Sequence, residues 1–167
     1  MLKNTFIILA IALVSLSLSS CRTGGGDDLE VKTFRINGST AELEDGRVVI
    51  DSNINDGEFE LVWKVDDDGA RAYYTWFYLS SNDNLSRGKD IEFYYVYCSS
   101  SGRCDNDDEN DEDCWFDNNL DLVCEDEDDP DTEIDELIDE LPEDLYVIIE
   151  ACNDFDCDTE TVPVRLR

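Results

Sequence analysis

Glu58-Phe59-Glu60-Leu61-Val62-Trp63-Lys64-Val65-Asp66 is the stretch on which the fold turns. Polar and apolar residues alternate along it, so a two-residue period places Phe59, Leu61, Trp63 and Val65 on one face of an extended strand. Asp66-Asp67-Asp68-Gly69 follows as a turn. Beyond it, residues 73–79 (YYTWFYL) and 91–98 (IEFYYVYC) are rich in aromatic side chains, which suit a pleated, packed surface. Residues 143–152 predict another strand with Leu145, Val147, Ile149 and Ala151 inward, and residues 161–166 a last one, on an edge because of Pro163. Weaker strands fit residues 29–36 and 47–54, separated by the turn-rich Asn37-Gly38-Ser39. Several short strands with turns between them predict an all-β chain, folded as an antiparallel β-sandwich.

Bulk composition narrows the function. The chain has 167 residues, with 43 acidic and 12 basic side chains, no histidine and a formal net charge of −31. Nucleic acid is excluded as a partner, because its phosphates need Lys and Arg. The same charge argues against resting on an anionic bilayer through side chains. Disorder is not expected, since 41% of residues are hydrophobic. Acidity concentrates late: residues 104–164 hold no Lys or Arg, and 22 of the 40 residues from 105 to 144 are acidic. This stretch, about 104–144, reads as an acidic insert rather than part of the sheet. Within it Ile134, Leu137, Ile138 and Leu141 recur at helical spacing, with Asp131 or Thr132 as N-cap and Pro142 as stop, which predicts one short amphipathic helix lying on the sandwich.

The N-terminus gives an address. Lys3 supplies a positive start, residues 6–18 an apolar run, and Leu18-Ser19-Ser20-Cys21 closes it. Thirteen residues are too few for a span, which needs roughly 20. This segment resembles the lipobox signal peptide of bacterial lipoproteins. The resemblance implies cleavage before Cys21, a diacylglyceryl group on its thiol and an acyl chain, such as palmitate, on its new amino terminus. The plain alternative is a secretory signal with Cys21 as a bystander. Residues 1–20 are then a signal peptide, 21–28 a spacer flexible at Gly24-Gly25-Gly26, and 29–167 a single domain. The expected partner is a membrane reached through the lipid anchor alone, and the expected location the cell envelope. Arg22, rather than aspartate, after the cysteine implies an outer-membrane position in a Gram-negative host.

The C-terminal hairpin resembles another family. Leu141-Pro142-Glu143-Asp144-Leu145-Tyr146-Val147-Ile148-Ile149-Glu150-Ala151-Cys152-Asn153, then Thr161-Val162-Pro163-Val164, is similar to the final hairpin of fibronectin type III domains, which read roughly L-x-P-x-x-x-Y-x-x-x-V-x-A-x-N. Trp63 stands where that family keeps a core tryptophan. With Tyr146 as the corner tyrosine, Ala151 and Asn153 arrive one residue early; with Leu145 there, they fit and the tyrosine is lost. The resemblance implies a fibronectin III-like or immunoglobulin-like sandwich, to which the acidic insert is foreign.

Setting Cys21 aside leaves six of the seven cysteines: Cys98, Cys104, Cys114, Cys124, Cys152 and Cys157. An even number in an exported chain reads as disulfides, while the zinc alternative lacks both a CxxC pair and histidine. Cys152 and Cys157 flank the turn of the last hairpin, which favours pairing them; Cys98–Cys104 and Cys114–Cys124 follow as local loops, among 15 possible connectivities.

Two further sites are candidates. Asp105, Asp107, Glu109, Asp111 and Asp113 alternate between Cys104 and Cys114, as carboxylates of a calcium loop would. The run resembles the Asp-rich, disulfide-pinned calcium repeats of thrombospondin-like proteins; it is no EF-hand, since Phe116 takes loop position twelve. The rival reading is a solvated acidic loop. No cofactor is expected beyond that Ca²⁺. The second candidate is aromatic: Tyr74, Trp76 and Tyr78 with Tyr94 form an outward set, either a platform for a protein or glycan ligand or a face covered by the insert and its helix. Catalysis is not expected. Without histidine neither a Ser-His-Asp nor a Cys-His arrangement can form, and carboxylates are too many for one glycosidase-like pair to stand out. The sequence therefore predicts a non-catalytic, lipid-anchored binding or structural module, with a calcium-binding structural module and a glycan-active enzyme as the alternatives.

Overall fold

The computed structural model describes residues 29–39, 43–67, 72–99, 104, 108–116, 121–124, 132, 134, 137–138 and 140–167. The predicted signal segment, Cys21 and the glycine spacer lie outside them.

The Glu58–Asp66 alternation becomes β4 (Phe59–Asp67), with Phe59, Leu61, Trp63 and Val65 buried as the period requires. Around it assembles a four-stranded sheet in the order β1 (Leu29–Asn37), β4, β7 (Asn110–Phe116), β8 (Leu122–Cys124). The second sheet has six strands: β2 (Leu43–Glu44), β3 (Arg47–Ile50), β10 (Cys157–Leu166), β9 (Glu143–Cys152), β5 (Tyr73–Ser80), β6 (Ile91–Cys98). All pairings are antiparallel except β3 with β10. The two sheets close over one core, in which Trp63 meets Phe77 edge-on at 5.0 Å. Leu145, Val147, Ile149 and Ala151 project into it from β9. Burying each large apolar side chain stabilises by roughly 1.5–3 kcal/mol, so this β-sandwich is held chiefly by alternate residues of β4, β5 and β9.

Three differences from the sequence reading have physical causes. The acidic stretch is not outside the sheet: β7 pairs β4 from Phe59↔Cys114 to Trp63↔Asn110, and β8 pairs β7. Its inward positions include Asn110, Cys114, Phe116, Leu122 and Cys124, and Asp111 and Asp113 fall on the outward face, while the half-buried Glu112 lies on the inward one. In the immunoglobulin arrangement the edge strand of this sheet precedes its inner neighbour; here β7 takes the inner place and β8 the edge. The predicted helix is absent among the described residues. Thr132 bridges Leu122 in an extended pairing, and Leu137 N–H donates to Ile134 O at 2.9 Å in a single turn. The apolar spacing still packs, with Ile134 buried and Leu137 and Ile138 partly so against the core, but eight residues crowded with acids fall short of the length a helix needs. Finally, β10 is interior, not an edge. Pro163 stands opposite Tyr146 of β9, and pairing with β3 begins one residue later, at Val164↔Val48.

The disulfides are Cys98–Cys104, Cys114–Cys124 and Cys152–Cys157, the three local pairings expected from spacing. The last two join residues directly opposite in the ladder. Five of the six cysteines are buried, so the bridges also fill space that the acidic segment's few apolar residues leave.

Candidate binding surface

Residue pairing between β5 and β6 sets Tyr74 opposite Tyr97 and Trp76 opposite Tyr95. Directly opposed side chains share a face, with Cβ atoms about 4.5–5.5 Å apart, so these pairs make a compact aromatic array on the outer face of the sheet. Tyr74 stacks on Trp76 with centroids 5.4 Å apart and meets Tyr97 at 4.8 Å. Tyr74, Tyr95 and Tyr97 are 44%, 49% and 45% exposed, and Trp76 is half-buried. β6 is the last strand of its sheet, and no strand among the described residues pairs with its outer edge.

The sequence reading had chosen Tyr78 and Tyr94 for this set. The register shifts between Phe77 and Tyr78, where an irregularity lets both Phe93 and Tyr94 turn inward. Tyr94 packs on Phe77 at 5.6 Å and its hydroxyl donates to Glu112 at 2.6 Å. Tyr78 stays outside the core yet is buried beside Glu150. Tyr95 and Tyr97 were missed because every position from 93 to 97 is apolar or aromatic, so alternation could not choose a face. Cys98, fully buried, marks the inward parity of this strand and sends Tyr97 out.

A charged fork borders the array. Glu150 on β9 is 5% exposed and sits opposite Trp76. Arg87 reaches it from the 81–90 loop, donating through Nε at 3.1 Å to one oxygen and through Nη2 to the other. That loop is pinned by Asp90, which accepts from Ser80 Oγ at 2.8 Å and from the Ser86 N–H, and by Ser80 accepting the Asn82 N–H at 3.2 Å. The hydrogen bonds from Glu150 push the Arg87 pKa up, and burial, with the Glu150 charge, pushes the Tyr78 phenol up to about 12. Arg87 carried no signal in the sequence, since a loop residue's reach across two strands depends on tertiary structure.

Three of the five acidic candidates, Glu109, Asp111 and Asp113, are among the described residues. Asp105 and Asp107 lie outside the described residues. Glu109 is held by Arg35, which donates at 2.6 and 2.9 Å and lowers its pKa below the usual carboxylate value. Asp111 and Asp113 are exposed on β7. Among the described residues one group of possible metal ligands converges, Glu150 with Cys152 and Cys157. Its sulfurs are joined in a disulfide and its carboxylate is taken by Arg87. At the opposite end of the sandwich, Ile50, Phe116, Ile134, Ile138, Leu141 and Leu166 line an apolar crevice with room for about one water.

No protein-family model matches the sequence, and no curated protein matches it.

Proposed function

We propose that this chain is a lipid-anchored recognition module of the cell envelope, non-catalytic, whose ligand surface is the Tyr74, Trp76, Tyr95, Tyr97 array. One observation carries the reading: three tyrosines lie almost half exposed around a tryptophan on one rigid sheet face, where tyrosine and tryptophan offer large contact area at low entropic cost. The array is set on paired strands and flanked by the Arg87–Glu150 fork, so its shape exists before any ligand arrives. The tether adds position. β1 begins at Leu29 opposite Asp67, and Val31 N–H donates to Asp158 beside the β9–β10 turn, at 2.8 Å. Tyr74 pairs with Cys152 at that same turn. A lipid on Cys21 therefore holds the array at the membrane-proximal end of the sandwich, within about eight residues of chain from its anchor. The absence of histidine supports the non-catalytic part.

Two measurements test the proposal. Cys21→Ser should abolish lipid labelling and leave unprocessed precursor; a labelled, cleaved Cys21→Ser protein would remove the anchor. A screen of neutral oligosaccharides and peptides by Trp76 indole resonance should find ligands whose binding is lost in Tyr74→Ser/Tyr97→Ser. Ligands that bind this double variant as well as the parent would remove the surface.

A further inference from the structure

We propose that the surface takes an extended, cationic segment of a partner protein, which joins the outer edge of β6 as an added strand and lays Lys or Arg side chains over the array; this rests on the recognition reading above. The edge comes first. β6 is eight residues long, is the last strand of its sheet among the described residues, and contains no proline, no lysine and a single charge, Glu92. Edge strands left in this state are templates for further pairing, and natural proteins blunt them with lysine, proline or a covering element. A strand added beside β6 would continue the ladder, and its alternate side chains would fall on the outer face beside Tyr95 and Tyr97. The pairing partner of Tyr95 is Trp76 and that of Tyr97 is Tyr74, so those side chains meet a continuous aromatic surface.

Charge decides what the segment carries. The chain bears −31, with no Lys or Arg from residue 104 to 164. A second copy, a strand-swapped dimer included, would bring an equal negative charge to this edge, and like-charge approach costs association. A basic segment instead gains at two ranges. The summed field steers it in, and at contact the ring faces of Trp76 and the tyrosines attract ammonium or guanidinium. Arg87 already closes the buried Glu150 carboxylate beside the array, so an incoming cation meets rings rather than Glu150.

The probe is an eight-residue peptide alternating Lys or Arg with Val or Thr, titrated into the whole folded protein. Three controls accompany it: Glu replacing the basic residues, N-methylation of alternate backbone amides, and neutral oligosaccharides. The basic peptide should bind, weaken as salt rises, and slow amide exchange in Ile91–Cys98. N-methylation on the edge-facing side should weaken it at least about tenfold, as should Tyr95→Ser/Tyr97→Ser in the protein. Equal affinity for the N-methylated peptide would overturn the added strand, because diffuse attraction to an acidic surface would then suffice. If oligosaccharides move Trp76 and the basic peptide does not, this inference falls and the recognition reading stands. If neither probe moves it, both fall.

Discussion

At the residue scale the most consequential contact is Arg87 with Glu150. A carboxylate 5% exposed is stable as an ion only if its charge is answered. Arg87 answers it with two hydrogen bonds. Because the Arg87 side chain is itself 63% exposed, solvent shares the work, and Arg87→Ala should cost about 1–2 kcal/mol in denaturant unfolding. An unchanged midpoint would mean that water replaces the guanidinium without loss. A second residue-scale expectation concerns acid. The pKa values of Asp144, Asp51 and Glu109 are all lowered, by the Arg165 fork, by the Asn53 N–H with Arg167 behind it, and by Arg35. Each carboxylate binds its proton less readily folded than unfolded. Their contribution is therefore present above the ordinary carboxylate values, 3.8 for aspartate and 4.5 for glutamate, and is lost as pH falls through the lower folded values. Thermal unfolding followed downward from pH 5 should show melting temperature falling below about pH 4. Arg165→Ala, which removes the fork from Asp144, should flatten that fall.

At the element scale, the strands legible in the sequence were those with one polar face. β4 and β9 alternate clearly, and their inward residues were identified one by one. β5 and β6 were visible as strands but not in their facing, because residues 93–97 offer no polar face to compare. β7 and β8 were hidden. Asn110 to Phe116 supplies two apolar side chains and a half-cystine against three acids and an asparagine, and a cysteine reads as inward only once its bridge is known. The Cys114–Cys124 bond lies between opposed residues of β7 and β8. Cys114→Ser/Cys124→Ser should therefore lower stability by about 2–3 kcal/mol, the chain-entropy value for so short a loop, and speed amide exchange in β8 first. Exchange that rises uniformly across both sheets would show instead that β8 is no independent unit. Ile134 makes the parallel case without a helix: it is 2% exposed, and Ile134→Ala should cost about 2–5 kcal/mol. A cost below 1 kcal/mol would mean that this segment merely rests on the sandwich.

The whole molecule is governed by its charge. At −31 the folded chain repels itself, so screening should stabilise it: monovalent salt should raise the melting temperature. Calcium and magnesium at equal ionic strength should give equal shifts where the acidic run is solvated surface; a distinctly larger calcium shift would support the calcium-loop reading of Asp105, Asp107, Glu109, Asp111 and Asp113. In the proposed recognition module, the same charge acts with a lipid tether and the exposed rings to hold an aromatic face near a membrane and admit neutral or basic partners. The aromatic face is the centre of that account, and the Trp76 indole reports on it directly. Following that resonance in the folded protein while neutral oligosaccharides and basic peptides are added should show a saturable shift with one of them, abolished by Tyr74→Ser/Tyr97→Ser while the melting temperature holds. Saturable binding that leaves Trp76 unmoved, or that survives the double substitution, would contradict it.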